Sequence, residues 1–244
     1  MALVRFRDPS GYARTGEWTD RGIEFGGQTY DQGDVAILPP VEPTKIVAVG
    51  RNYRSVIDEE GVEPPTVPRL FFKPAHTVAG HGDTVSLPPD KDEVVFEAEL
   101  GVVIGEQAKN VPRAKAEDVI EGYTCVNDIS NLDDRDIGDG GVRVKGFDGA
   151  APIGPVVAPL DEVPDDATIE LRLNGTVKQH GSVADLLFSV PELVEEITSY
   201  PTLEPGDVIS TGTPGGFGPL SDGDHVEITI EGVGTLEHDV ASTG

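Results

Sequence analysis

The chain has 244 residues, and 44 Asp and Glu against 18 Lys and Arg give it a net charge of −26. A surface this acidic repels nucleic-acid phosphate and anionic lipid, which argues against a DNA, RNA or membrane-surface partner. A hydrophobic share of 37%, spread over the whole length, argues equally against a disordered acidic tail. The acidic excess is dispersed, and only seven lysines stand beside eleven arginines. Dispersed carboxylates with little lysine suit a protein adapted to high salt, where cations screen the repulsion; an ordinary acidic cytosolic protein is the plainer alternative. The length allows one large domain, or one with a small appendage. The single Cys125 forbids an internal disulfide and a cysteine-based zinc site. The opening MALVRFRDPSGYARTGEW has no apolar core of a signal peptide, and no long uncharged apolar run follows, so a soluble cytoplasmic protein is expected.

In chain order, ALVRF, GIEFGGQTY and VAILPP predict short strands, and Pro39, Pro40 and Pro43 a stiff connector. KIVAVG (45–50) predicts a buried strand, and RNYRSVIDEEGV (51–62) a short helix or loop closed by Pro64 and Pro65. LFFKP (70–74), VVFEAELGVVIG (94–105) and YTCVND (123–128) predict further strands. In TIELRLNGTVKQHG (168–181), Leu171, Leu173 and Val177 alternate with polar residues around Asn174-Gly175, the signal for a two-residue hairpin. GDVISTGTP and DHVEITIEGVGTLEHDV read as closing strands. Helical spacing occurs near 114–120 and near 182–200. The expected class is mainly β with few helices (α+β), as a sandwich or barrel-like sheet.

The densest chemistry lies in EVVFEAELGVVIG. On a strand, Glu97 and Glu99 share one face, and Phe96, Ala98 and Leu100 the other. Asp128 closes a second apolar strand. Paired carboxylates in an apolar strand repel each other and lose hydration, and a divalent cation relieves both penalties. Three carboxylates suit a hard ion, Mg²⁺ or Mn²⁺ with Ca²⁺ also compatible. In so acidic a chain, spacing alone equally fits a solvated sheet face. Lys145 in VKGFDGAAP, and Thr213 in STGTPGGFGP, read alone as a surface lysine and a turn residue.

The ordered blocks KIVAVGRNY, LFFKP, FEAELGVVIG, GYTCVNDIS, VKGFDGAAPIGP and STGTPGGFGP resemble the fumarylacetoacetate hydrolase family over about residues 43–240. The resemblance implies a rolled, barrel-like β-sheet catalytic domain over 43–244 behind a small N-terminal β segment at 1–42. It implies a homodimer, with small anionic 2-oxo and β-diketo acids as substrates. Glu97, Glu99 and Asp128 would hold Mg²⁺ or Mn²⁺. Lys145 would act on the substrate oxygens, and Thr213 would bind the substrate carboxylate. Arg51, Tyr53 and Lys73 match the pocket wall, Arg51 as the candidate for a distal carboxylate.

Two departures stand out. Hydrolytic members carry a lid His with a Glu three residues on, which together activate water. Here Val56 takes the His position and Glu59 the Glu position. After Asp128, Leu132 stands where the family has Arg, and Arg135 falls near a Gln position. His76 is the first candidate to replace the missing base; Glu59 or Glu60 acting on water is another route. His180, His225 and His238 are expected at the surface. The leading expectation is a metal-dependent hydrolase cleaving a C–C bond of an acylpyruvate-type substrate. The alternatives are a non-hydrolytic decarboxylase, dehydratase or isomerase of a related 2-oxo acid, and a metal-binding member without turnover. The charge itself gives a test: melting temperature should rise from low salt to molar KCl as repulsion is screened, and an unchanged value would remove the high-salt reading.

Overall fold

A computed structural model describes residues 1–137 and 141–242. The N-terminal segment forms β1 (Ala2–Arg7), β2 (Ala13–Thr19), β3 (Gly22–Phe25), β4 (Gln28–Tyr30) and β5 (Ala36–Leu38). Next come β6 (Lys45–Gly50), the helix α1 (Arg54–Glu60), β7 (Arg69–Pro74), β8 (Val78–Ala79), β9 (Thr84–Leu87), β10 (Val94–Phe96) and β11 (Ala98–Ile104). The middle holds β12 (Ile120–Asn127), β13 (Ser130–Asn131), α2 (Gly141–Lys145) and β14 (Ala151–Ala158). The rest comprises β15 (Thr168–Leu173), β16 (Thr176–Ser182), α3 (Val190–Ser199), β17 (Val208–Ser210), β18 (Gly218–Pro219), β19 (His225–Ile230) and β20 (Gly234–Ser242). None of the helices is long and apolar enough to cross a membrane.

The largest sheet runs β4-β3-β2-β1-β14-β12-β11-β17-β6-β7, with β5 on β1 and β8 on β14. A second runs β16-β15-β19-β20-β9, and a small one β13-β10-β18. Within the N-terminal β segment, β1 pairs with β14, Leu3 opposite Val157, and continues the main sheet. The central strands are covered on both faces. Every residue of β11 and β14 is buried, which is why LGVVI and APIGPVVA are continuous apolar runs rather than alternating ones. The segment APIGPVVA, to which no element is assigned from the sequence, contains Pro152 and Pro155. Both are accommodated, Pro152 opposite Ala79 of the two-residue β8 and Pro155 beside a register shift between β12 and β14.

The hairpin at 168–181 forms as expected, with Asn174 at φ 52° and Gly175 at φ 74°, the positive values its turn needs. Its inward face differs. The register slips between Leu171 and Arg172, leaving Lys178 as an extra residue on β16. Val177 is thereby turned outward, 41% exposed, and Gln179 is turned inward, 1% exposed, opposite Leu171. The helix expected over 182–200 begins only at Val190. Ser189 caps it in a capping box with Glu192, and Pro191 favours a first turn over a helix interior. Before it, Leu187 donates its N–H to the Asn52 carbonyl at 2.8 Å, so that stretch is committed to the GRNY segment instead. The expected helix at 114–120 is two short 3₁₀ turns, Arg113–Lys115 and Glu117–Val119.

Glycines in β11 and β12 let the strands pack closely. A Cβ on Gly122 would lie 2.2 Å from the Ala158 carbonyl oxygen, a backbone atom that cannot rotate away. Gly122→Ala should cost at least about 2 kcal/mol and lower the melting temperature by several degrees, measured by thermal denaturation. An unchanged melting point would mean that β12 and β14 separate more freely than their packing implies.

Candidate metal centre and active site

Five neighbouring strands of the main sheet bring an end to one edge. Antiparallel pairing sets the C-terminal end of β12 beside the start of β11, and β17 ends on the same side. β6 runs parallel to β17, and β7 antiparallel to β6, so Gly50 lies opposite Arg69. Hence Asp128, Glu97, Glu99, Ser210, Arg51 and Arg69 cluster although their sequence positions span most of the chain. This is the usual logic of a sheet-end site, where the scaffold is rigid and the connections carry the chemistry.

Glu97 interrupts the strand expected over 94–105. It sits between β10 and β11, with its N–H donated to Asn127 Oδ1 at 2.9 Å and its carbonyl accepting the Asp128 N–H at 2.9 Å. Even so, Glu97, Glu99 and Asp128 each offer a carboxylate oxygen, and the three lie within 4.8 Å of one another. Glu99 and Asp128 are 2% and 1% exposed, so this is no solvated face.

Two ammoniums answer the three carboxylates. Lys145 Nζ donates to Glu97 Oε2 and to Asp128 Oδ2, both at 2.6 Å. Lys73 Nζ, fully buried, donates to Asp128 Oδ1 at 2.5 Å and to the Ile129 carbonyl at 3.0 Å. Glu99 receives only neutral donors, the Ser210 hydroxyl at 2.5 Å and the Gly212 N–H at 2.8 Å. With all three carboxylates ionised, one negative charge would therefore be left without a cation. Burial, reinforced by Asp128 and Glu97, pushes the Glu99 carboxyl up to about 8. Burial also raises Glu97, against the pull of Lys145. Burial opposes ionisation of Asp128, but Lys145 and Lys73 outweigh it and hold its carboxyl below the ordinary range. Burial likewise opposes the charge on Lys145, but Asp128 and Glu97 outweigh it and keep it an ammonium well above its usual range. An all-oxygen, buried trio that would carry a surplus negative charge when fully ionised fits a hard divalent cation such as Mg²⁺ or Mn²⁺.

The trio and Lys145 form the floor of a cavity of about 630 Å³. Its walls include Val56, Phe71, Val144, Phe217 and Thr213, and Arg51, Arg69 and Arg135 reach it from the rim. Lys145 Nζ lies 4.8 Å from the centre of the Phe71 ring, a cation–π contact. Arg51, held at φ 58°, pairs with Glu60 of α1 at 2.5 Å. Arg69 and Arg135 are exposed and make no ion pair among the described residues.

Of the remaining candidates, Glu59, Tyr53, Lys73 and His76 fall outside the cavity wall, and Thr213 is part of it. Glu59 accepts the Gly216 N–H at 3.0 Å, so it braces the lid helix against the loop after β17. Tyr53 is fully buried behind α1, its hydroxyl without a partner. Lys73 acts from beneath, through Asp128. Thr213 Oγ1 accepts from Gln179 Nε2 at 2.8 Å. His76 bonds the Gly146 carbonyl through Nε2 at 2.9 Å and does not line the cavity, which argues against it as a replacement base. His238 is not at the surface: it is 1% exposed. Leu236, His238 and Val240 share the inward face of β20, and that period of two was readable in TLEHDV. The sequence reading also missed Arg69, Ser210 and Gln179. Arg69 had a signal in being a cation beside LFFKP in a chain poor in cations. Gln179 had none, because the bulge at Lys178 places it.

Residues 45–241 match the family model described as fumarylacetoacetate (FAA) hydrolase C-terminal. The chain belongs to the fumarylacetoacetate hydrolase family. It is 36% identical over 239 residues to the oxaloacetate tautomerase YisK of Bacillus subtilis, covering 92% of this chain and 79% of that one. The solved structure of 5-carboxymethyl-2-hydroxymuconate delta-isomerase from Mycobacterium smegmatis matches with a TM-score of 0.91 at 39% identity, over 100% of both chains. Fumarylpyruvate hydrolase from Pseudomonas aeruginosa, solved in complex with Mn²⁺ and pyruvate, matches with a TM-score of 0.77 at 30% identity, over 85% of this chain and 92% of that one. The mostly β fold expected from the sequence is thus that of the family, whose members include isomerases, tautomerases and hydrolases.

The raised Glu99 carboxyl has a measurable consequence. At pH 7 it holds its proton in the metal-free chain, and a cation ligand must be ionised, so adding Mn²⁺ should release about one proton. Release should fade as pH rises through about 8, where the carboxyl is already ionised. Titration calorimetry in buffers of different ionisation enthalpy reads this directly. Glu99→Gln releasing as much proton as wild type would show that the proton comes from elsewhere.

Proposed function

We propose that the protein is a divalent-cation-dependent tautomerase or isomerase of a small 2-oxo acid bearing a second carboxylate. The observation that carries this is the state of the lid helix α1. Val56 faces the cavity where a hydrolytic lid needs its base, Glu59 is tied to the Gly216 N–H, and Glu60 is paired with Arg51. Moving a proton between carbon and oxygen of a 2-oxo acid needs enolate stabilisation but no attacking water. The names of two relatives, an oxaloacetate tautomerase and a hydroxymuconate isomerase, support the same reading.

Glu97, Glu99 and Asp128 would hold Mg²⁺ or Mn²⁺, which supplies Lewis-acid polarisation of a 2-oxo acid. Lys145, held as an ammonium beside that position, donates hydrogen bonds where negative charge develops on the substrate oxygen. Phe71, Val144 and Phe217 exclude water from around it and so strengthen that interaction. Thr213, with its oxygen engaged by Gln179, is oriented to donate to the carboxylate next to the carbonyl. Arg69 and Arg135, without an ion pair among the described residues, bring guanidiniums to the rim, where a second carboxylate fits.

The hydrolytic reading, cleavage of an acylpyruvate-type C–C bond, shares the carboxylate trio and Lys145 but requires a group to take a proton from water. Assays with enolic oxaloacetate and with acetylpyruvate, each with Mn²⁺, discriminate between them. Expected is accelerated conversion of the oxaloacetate enol without CO₂ release, and no acetate from acetylpyruvate. Lys145→Met should lower kcat by about 100-fold or more, while Glu97→Gln or Asp128→Asn should abolish both activity and Mn²⁺ binding. Acetate release with unaccelerated tautomerisation would reverse the assignment, CO₂ release would make the protein a decarboxylase, and cation binding with no turnover would leave a binding protein.

A further inference from the structure

We propose that His238 is a positioning residue for the carboxylate trio, acting through Asn127 on the backbone of Glu97. The proposal rests on the reading of that trio as a cation site. Glu97 belongs to no strand ladder, so other groups must fix its backbone. Residues 127 and 128 do so from both sides: the Asn127 side chain takes the Glu97 N–H, and the Asp128 N–H takes the Glu97 carbonyl. Two members of the trio are thereby stitched together at the backbone, and the Asn127 amide is one of the two stitches.

An amide can hold that stitch in one orientation only. A backbone N–H always donates, so Asn127 must present Oδ1 to Glu97 and Nδ2 the other way. There Nδ2 meets His238 Nε2 at 2.8 Å. Nε2 must then carry a lone pair, which places the ring proton on Nδ1, facing the Asp239 carbonyl at 3.3 Å. Desolvation holds this imidazole far below its usual value, at about 4, which keeps it neutral and able to accept. Without an acceptor at this place, the Asn127 amide loses what fixes its orientation. Flipped, it would set a donor against a donor at Glu97 and break the stitch.

His238 is otherwise hard to explain. It occupies an inward position of β20 between Leu236 and Val240, where an aliphatic side chain would pack without burying a polar ring. Asn127 is itself fully buried, so its amide needs a partner on each side, and His238 is the second.

The test combines Mn²⁺ binding with imidazole NMR on the intact chain. In the wild type, ¹⁵N shifts should report His238 as the neutral ring protonated at Nδ1. A ring protonated at Nε2 overturns the proposal without any variant. His238→Leu should weaken Mn²⁺ binding by about tenfold or more, as loss of an outer partner of a ligand typically does. His238→Gln, which restores an acceptor for Nδ2, should recover most of the affinity at comparable thermal stability. Mn²⁺ affinity of His238→Leu within twofold of wild type, whatever its melting temperature, overturns the relay alone. If His238→Leu does not fold, His238→Gln carries the comparison, and a loss there as deep as that of Glu97→Gln overturns the relay. A wild-type chain that binds no Mn²⁺ overturns the reading of the trio and this proposal with it.

Discussion

The site depends on a constraint of charge. Three carboxylates converge in a volume from which water is largely excluded, and two lysines would leave them, once all are ionised, at least one positive charge short. Burying ions costs several kcal/mol each unless attraction and hydrogen bonds offset it. The surroundings are arranged to supply that offset. Lys73 reaches under from β7, Lys145 comes from α2, Ser210 and the Gly212 N–H come from the end of β17, and Asn127 braces Glu97. The strand order of the main sheet can be understood from this requirement. It sets the ends of five adjacent strands on one edge, so no group has to reach far. The remaining deficit is the feature that calls for a divalent cation, and a floor carrying one would be positive overall and receptive to an anionic acid.

The same charge argument applies at larger scale. The chain as a whole is at −26, yet the cavity brings Lys145, Arg51, Arg69 and Arg135 together around four acids, Glu60, Glu97, Glu99 and Asp128. An anionic substrate approaching this protein crosses a repulsive surface to reach a locally neutral or positive pocket. Salt screens the long-range part of that field far more than contacts inside the cavity. High ionic strength would therefore ease entry while leaving binding at the floor largely intact. A dispersed acidic surface would be compatible with the proposed substrate of like sign because the cationic residues are concentrated at the cavity.

What the sequence made legible follows from what is local. Most strands and the Asn174-Gly175 turn are set by neighbouring residues and appear where expected, and the segment after GRNY, open between helix and loop, is the helix α1. The carboxylate trio was ambiguous from spacing, because acidic pairs are cheap in this chain, and became specific only through the order of blocks around it. The failures have long-range causes. Gln179 faces inward because Lys178 is an extra residue in the register between two strands. α3 starts late because Leu187 is drawn to Asn52, 135 positions earlier. His238 is expected at the surface from its place in a terminal hairpin strand, although the apolar residues two positions either side of it mark the inward face.

The departures at the lid now bear on chemistry in a definite way. Enolate stabilisation is common to tautomerisation, decarboxylation and C–C hydrolysis, so the floor of the cavity cannot by itself separate them. The separation rests on whether a base can reach water above the substrate. In this chain α1 offers Val56 at that place, and of the three acids that follow, Asp58 does not line the cavity, Glu59 is tied to the loop after β17 and Glu60 to Arg51. These ties are coupled to the site. Releasing Glu60 as a base would free Arg51 at the rim, and releasing Glu59 would loosen the Gly215-Gly216 turn that carries Thr213 and Phe217. A base drawn from Glu59 or Glu60 therefore comes at the expense of the geometry around Arg51 and Thr213. That coupling, more than the missing histidine alone, is the physical argument for proton transfer over hydrolysis.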